Sequence, residues 1–458
     1  MIFINILRML HIVSKQRLLT YHDYSQSFKV KAFGILLELL CCPLVLFQRP
    51  LDSFSTRISS CFESLGPVYV KFGQTLSTRP DLVGVNVATK LQYLQNSLFD
   101  FDSAIAKKIV EHELNQTINQ IFIYFNDKAV ASASIAQVHK AQLLNGDIVA
   151  VKILRPGIGK KYQDDINLLY FVAKIWSKIN QEYNRLKLLE VVNVLKNTMH
   201  QELDLRNEAA SISEITDYCR NNPNLCIPKI YWQFNSSNLL ITQWVEGISI
   251  YDNEGLLSAN IDKTKLSKDI AEMFLSQAYE YGFFHADLHP GNILIKDDGR
   301  IALIDFGIMG RLADSDRLAI AEILAAFLNR DYLRVAQIHI KVGYVPKNTD
   351  LYSFASACRT IYEPMVNLAS KDISISKLLI RLFEITEKFG METQPQLLLL
   401  QKTMIVVEGI GQSLNSNLNM WELAKPWITK WAVKNLSPEA KVLAIFKKAI
   451  IKFMDDCL

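Results

Sequence analysis

The sequence is short of several features, and each absence narrows what the chain can be. No basic run interleaves with aromatics, and 50 Lys+Arg against 46 Asp+Glu leave a formal net charge of +4, which argues against nucleic acid as the principal partner. The seven cysteines, Cys41, Cys42, Cys61, Cys219, Cys226, Cys358 and Cys457, are odd in number and lack zinc spacing, so they read as reduced core thiols. The apolar stretch Ala32 to Phe47 is sixteen residues long, with Glu38 inside and Pro43 near its end. It falls short of the roughly twenty residues of a membrane crossing and reads as an amphipathic or packed helix, with partial membrane insertion as the alternative. Met1 to Leu10 is too short and poorly flanked for a signal peptide. There is no haem-thiolate signature, flavin-type glycine fingerprint, facial iron triad, internal repeat or low-complexity linker. What remains is a globular chain of 458 residues, half of them apolar and 21% charged, long enough for two lobes plus extensions.

Against this background one segment carries the chemistry. His285-Ala286-Asp287-Leu288-His289-Pro290-Gly291-Asn292 is followed thirteen residues later by Asp305-Phe306-Gly307, with the apolar strand Ile301 to Ile304 between them. An aspartate five residues before an asparagine lets one loop aim a carboxylate at an acceptor proton while its far end ligates Mg²⁺, and a second carboxylate after a strand completes the metal's protein ligands. Asp287 is therefore the candidate base or water-orienting group, and Asn292 and Asp305 the candidate metal ligands. A zinc cluster of His285, Asp287 and His289 is the weaker reading, because alternating ligands want a strand and Pro290-Gly291 makes a loop.

The rest of an ATP site is expected upstream. Val149-Ala150-Val151-Lys152 fits the strand whose lysine neutralises the α and β phosphates, and Asn145-Gly146-Asp147 supplies a hairpin turn just before it. A lysine held out of solvent needs a carboxylate partner. Glu202 and Glu208 are both placed to provide it, and spacing does not choose between them. Before Lys152 there is no glycine-rich phosphate flap. The chain reads Ala131-Ser132-Ala133-Ser134, a stiffer loop, since alanine does not take positive φ cheaply. Val245 follows in the expected hinge.

Lys71-Phe72-Gly73-Gln74, a KxGQ signature running on to Asp81, the alanine-rich loop Ala131 to Ser134, Glu202-Leu203-Asp204, and the stretch Val407-Glu408-Gly409 to Leu423 stand in an order that resembles the UbiB family of atypical kinase-like ATPases associated with ubiquinone biosynthesis. The resemblance implies an α+β, helix-rich, protein-kinase-like two-lobed fold with an N-terminal helical extension packed over the active-site cleft. It implies ATP or ADP with Mg²⁺ as cofactors. It also implies that Lys71 reaches Glu202 and Asp204 and that protein phosphorylation is suppressed. Lys71 and Gln74, three residues apart, share one helical face and so can serve one acidic target. Three departures bear on nucleotide preference: Ser132 inside the alanine run, Ala129 for the preceding proline, and Gln243 where the hinge acid is expected.

The resemblance further implies polyprenyl-phenol lipid intermediates, the membrane surface and other ubiquinone enzymes as partners, at the cytoplasmic side of a bacterial inner membrane. A small-molecule or lipid kinase and a catalytically silent scaffold are the alternatives. Both a small acceptor and water suit the absence of an Ala-Pro-Glu anchor after Asp305-Phe306-Gly307 and the presence of His289 where protein kinases place a lysine. Helical and strand periods divide the chain into an extension over 1–120, a strand-bearing lobe with a helical insertion over 121–245, a helical lobe over 246–430, and a basic amphipathic tail helix over 431–458 that starts at Ser437-Pro438. The insertion carries the apolar pattern Ile166, Leu169, Tyr170, Val172, Ala173, Trp176, then Leu186, Leu189, Val192, Leu195. Tyr231 to Phe234 and Leu239 to Trp244 read as a hairpin, and Leu266 to Tyr281 as an amphipathic helix with Ile270, Met273, Phe274 and Ala278 inward.

Overall fold

Alternation along one strand sets the first sheet. In β4, Ile148–Leu154, the side chains of Val149, Val151 and Ile153 are fully buried, while Ala150 and Lys152 between them face the other side of the sheet. β3, Ala136–Leu143, turns back through Asn145-Gly146-Asp147 onto β4 and places Val138 opposite Lys152. β1, Phe122–Phe125, and β2, Ala131–Ser132, run antiparallel to β3, and β6, Leu239–Gln243, runs antiparallel to β4. The Ser103–Leu114 helix covers the inner face with Ala106 and Val110, and Phe122, Phe125, Leu239 and Ile241 complete that core.

The computed structural model describes residues 2–18, 52–77, 83, 85–91, 94, 101–132, 135–179, 188–220, 222–366, 381–382, 385, 388–391, 394–419 and 423. Ala133, Ser134, the Ala32 to Phe47 stretch, Cys41, Cys42, Cys457 and the tail helix expected from Ser437 lie outside them. The chain divides into two units, one of Met1–Ala210 with Lys229–Trp244 and the other of Ser211–Pro228 with Val245–Leu458.

In the first unit the Pro67–Ser77, Val85–Leu91 and Leu188–Glu202 helices share a second core of Val70, Leu76, Val87, Leu91, Leu94 and Val191. Gly73 leaves no room for a side chain, since a Cβ there would lie 2.4 Å from Leu94 Cδ1 and 2.6 Å from Phe62 Cδ2. The helical insertion is formed by Ile158–Ile179 and Leu188–Glu202, with Ile166, Leu169, Ala173, Val192 and Leu195 buried. Tyr170 and Val172, which the apolar pattern would turn inward, are exposed. Tyr231 to Phe234 also departs from expectation. In place of a strand beside Leu239 to Trp244, Trp232–Phe234 winds into a 3₁₀ turn, because the Ile241 N–H goes to Asn235 Oδ1 at 2.7 Å and is not available to a strand partner.

The second unit is built around the segment singled out above. The Lys263–Leu275 helix buries Ile270, Met273 and Phe274, continues into a π-helical turn over Ser276–Tyr281, and stops at Gly282 with φ near +68°. A side chain there would be strained and would press on the Leu312 carbonyl at 2.8 Å, so glycine is required at this stop. β8, Phe283–His285, follows immediately and pairs with β11, Met309–Arg311. β9, Ile293–Ile295, and β10, Ile301–Leu303, form a hairpin flanked by β5, Leu225–Cys226, and β7, Ile248–Ser249. The loop between β8 and β9 and the loop after β10 thus leave neighbouring pairs of short strands.

Beyond β11 the Asp314–Leu328, Tyr332–Val342 and Leu351–Val366 helices pack in succession, with the rings of Phe327, Tyr332 and Tyr362 in contact. The Pro395–Leu414 helix lies against Lys263–Leu275 and β11. Among the described residues its Gln396–Leu414 portion is the one helix long and apolar enough to cross a membrane, and half of it is buried inside the protein.

Candidate active site

Lys152 leaves β4 on the face away from the valine core, and its Nζ donates to both carboxylate oxygens of Glu208, each at 2.8 Å. Of the two acids open to it, the geometry selects Glu208. That residue stands in the first turn of the Leu205–Cys219 helix, where the helix dipole favours a carboxylate. Both side chains are largely buried, at 14% and 7% exposure.

Glu202 has a different partner. It closes the C-terminal end of the Leu188–Glu202 helix, where the dipole disfavours negative charge, and Lys71 answers it with Nζ 2.5 Å from Oε1. The contact has the closeness of an ion pair without the angles of a linear hydrogen bond. Asp204, expected beside Glu202 as a second target of Lys71, is gripped by Arg206 through Nε and Nη2 at 2.9 and 2.6 Å, and this holds its carboxyl below the usual carboxylate range. Gln74 does not join the acidic group either. Its Nε2 donates to the Leu94 carbonyl at 3.0 Å, tying the Pro67–Ser77 helix to the chain that packs over Gly73. Ala131 and Ser132 lie in β2 opposite Val138 and Gln137, and Val245 is half-buried just after β6.

In the second unit His285 organises both halves of the metal-phosphate motif. Its Nδ1 accepts the Asp287 backbone N–H at 3.1 Å, and its Nε2 contacts the Asp305 carbonyl in a short hydrogen bond. An acceptor at Nδ1 and a donor at Nε2 specify the neutral ring. Complete burial pushes the pKa of His285 down and so favours the same form. Asn292, 7% exposed, donates its Nδ2 to the Asp287 carbonyl at 3.0 Å, which leaves Oδ1 as the atom that could take a cation. Asp305 accepts the Gly307 N–H on Oδ1 at 3.0 Å, so one carboxylate oxygen is turned into its own loop. Hard oxygen donors from one amide and one carboxylate suit Mg²⁺.

The residue that sequence reasoning missed is Lys402. From the Pro395–Leu414 helix, 115 positions downstream, its Nζ donates to Asp287 Oδ1 at 3.0 Å. Motif spacing could not find it. The available signal was a lysine in a largely apolar helical stretch whose one other charge is Glu408, since a charge so placed has to be compensated.

Residues 93–339 match the model of the ABC1 atypical kinase-like domain, and residues 358–419 match that of the UbiB helical domain. The chain belongs to the UbiB family of atypical kinase-like proteins. It is 41% identical over 410 residues to the "Probable protein kinase UbiB" of Marinobacter nauticus, covering 89% of this chain and 75% of that one. The protein of the same name from Azotobacter vinelandii is 37% identical over 441 residues, covering 95% and 82%. A solved structure, the Rv3197–erythromycin complex from Mycobacterium tuberculosis, superimposes with a TM-score of 0.50 at 20% identity, over 87% of this chain and 96% of that one, a likeness of fold alone. The fold is thus α+β, helix-rich and kinase-like. Within this UbiB architecture Asp287 belongs to the kinase-like domain and Lys402 to the helical domain.

Proposed function

We propose that the chain binds Mg-ATP and hydrolyses it in support of ubiquinone assembly, acting on or presenting polyprenyl-phenol lipids at the cytoplasmic face of the inner membrane. The observation that carries this reading is the double tie from one buried histidine, His285, to the backbones of Asp287 and Asp305. It fixes the candidate base and the candidate metal carboxylate relative to each other within one unit. Lys152, aimed by Glu208, supplies the cation that neutralises the α and β phosphates. Asn292 and Asp305 would hold Mg²⁺, which when bound supplies charge to the phosphate oxygens.

In the proposed reaction Asp287 orients water and takes its proton. The water oxygen forms a bond to the γ phosphorus as the bond from phosphorus to the β–γ bridging oxygen breaks, and ADP leaves with that electron pair. The Lys71–Glu202 pair anchors the KxGQ helix within the first unit. We read that anchor as the restraint on phosphate transfer to proteins.

The test is Mg²⁺-dependent nucleotide binding and phosphate release by the full chain, with and without vesicles containing a phenolic headgroup analogue, comparing wild type with Asp305→Asn. Expected are turnover that rises with the lipid and its loss in Asp305→Asn. Unchanged turnover in that variant would remove the reading. Labelled phosphate appearing covalently on a prenyl-phenol would replace hydrolysis by a lipid kinase activity.

A further inference from the structure

We infer that Lys402, on the helical domain, is a catalytic residue of the kinase-like domain: it holds Asp287 by one oxygen and presents its remaining ammonium protons to the γ-phosphate of ATP. The inference rests on the nucleotide reading above and extends it to a residue 115 positions from the motif.

The argument begins with the cost of placing a lysine there. The Pro395–Leu414 helix buries Leu397, Leu398, Leu400, Met404, Val407 and Ile410, and Lys402 stands among them with its side chain only 21% exposed. An ammonium so shielded from water needs acceptors. Lys402 has three N–H donors, and among the described residues its one partner is Asp287 Oδ1 at 3.0 Å. Among the described residues two donors therefore remain beside the carboxylate that the mechanism assigns to the attacking water. A structural salt bridge meant only to pin the helix would more naturally use them up within the protein.

The position also answers a gap in the motif. His289 stands two residues after Asp287, where protein kinases carry a lysine, and it is exposed, with its Nδ1 engaged by the Gly291 N–H at 3.0 Å. That ring is turned into its own turn. A cation is still needed where negative charge gathers on the transferring phosphoryl group. Lys402 brings one to the same carboxylate from a different part of the chain. Its helix packs on Lys263–Leu275, which leads into β8 and the catalytic loop, and on β11, which follows the Asp305 loop. The supporting surfaces for the helix and the two catalytic loops are thus shared, so the lysine is positioned by the same elements as its partner.

A charge meeting the γ-phosphate distinguishes ATP from ADP, and this separates a catalytic lysine from a structural one. The experiment compares the full-length wild type with Lys402→Gln and Lys402→Arg. It measures Mg²⁺-dependent affinity for a non-hydrolysable ATP analogue and for ADP, the KM and kcat of phosphate release, and the melting temperature. Lys402→Gln is expected to bind the ATP analogue about tenfold more weakly with ADP affinity unchanged, and to lose on the order of a hundredfold in kcat, with Lys402→Arg recovering part of both. Equal losses for ATP analogue and ADP together with a lowered melting temperature would make Lys402 a structural tether and overturn the inference. Wild-type affinity and turnover in Lys402→Gln would overturn it as well. A wild type that binds no nucleotide at all defeats the nucleotide reading and takes this inference with it, whereas defects confined to Lys402→Gln leave that reading standing.

Discussion

Lys71 and Glu202 meet 2.5 Å apart inside the first unit, their side chains only 13% and 7% exposed. The lysine comes from the KxGQ helix and the acid from the end of the inserted helix, so one ion pair joins two sequence signatures that lie 131 positions apart. Removing one partner strands the other charge away from water. Lys71→Ala is expected to lower unfolding free energy by about 3 kcal/mol, read from denaturant midpoints. Replacing both, as Lys71→Met with Glu202→Gln, should recover most of that loss. A double variant as unstable as the single one would show that the loss comes from the ion pair itself, and not from a stranded charge or from the lysine's aliphatic stem, which methionine replaces.

Glu208 aims Lys152, and this predicts a defect of nucleotide binding. In Glu208→Gln the Lys152 ammonium keeps one weaker acceptor in place of a carboxylate that takes both contacts at 2.8 Å. Mg-nucleotide affinity should fall by about tenfold, or ~1.4 kcal/mol, measured by calorimetry on the full chain. Glu202→Gln, which touches Lys71 and not Lys152, should leave that affinity much closer to wild type. Equal losses in the two variants would mean that the acids act on the nucleotide through the helices and not through Lys152.

Gly73 predicts a steric limit inside the KxGQ signature. A methyl group there would sit 2.4 Å from Leu94 Cδ1 and 2.6 Å from Phe62 Cδ2, closer than carbon atoms approach. Gly73→Ala must displace both of these side chains, at roughly 1–3 kcal/mol. Pairing it with Leu94→Ala should relieve part of the clash while opening a void of its own, so the two effects should be non-additive in melting temperature. Simple additivity would place the strain elsewhere.

How much of this was legible in the sequence depended on whether a feature is local. The β3–β4 hairpin, the alternation that puts Lys152 opposite the valine core, and the inward face Ile270, Met273, Phe274 and Ala278 follow from periods of two and 3.6 residues, and all appear as read. The partner of Lys152 could not be read, because Glu202 and Glu208 differ only in which side of a helix break they occupy. The loss of Asp204 to Arg206 is a local capture two residues away that outcompetes a distant lysine. Trp232–Phe234 failed as a strand because a side-chain oxygen, Asn235 Oδ1, took the backbone donor that pairing required. His139, in β3, is a buried strand residue whose Nδ1 meets the Asn126 carbonyl at 2.8 Å. Lys402 lay beyond any spacing rule, since tertiary packing of the helical domain alone brings it to Asp287.

The last prediction concerns acid. His339 is 2% exposed, packed between the rings of Tyr344 and Phe354, with Nδ1 hydrogen-bonded to the Val335 carbonyl at 2.8 Å. Burial pushes its pKa down from the usual 6.5 to about 4. The unfolded chain therefore takes up this proton before the folded one does, and stability must fall with pH. The contribution is complete above pH 6.5 and is lost progressively down to about pH 4, where the difference amounts to ~3 kcal/mol. Denaturant titrations at pH 7.5, 5.5 and 4.5 should show this slope in the wild type and a shallower one in His339→Phe, which cannot be protonated and has aromatic neighbours to pack against. Parallel slopes in the two proteins would assign the acid sensitivity to other groups and return His339 to the role of an ordinary core side chain.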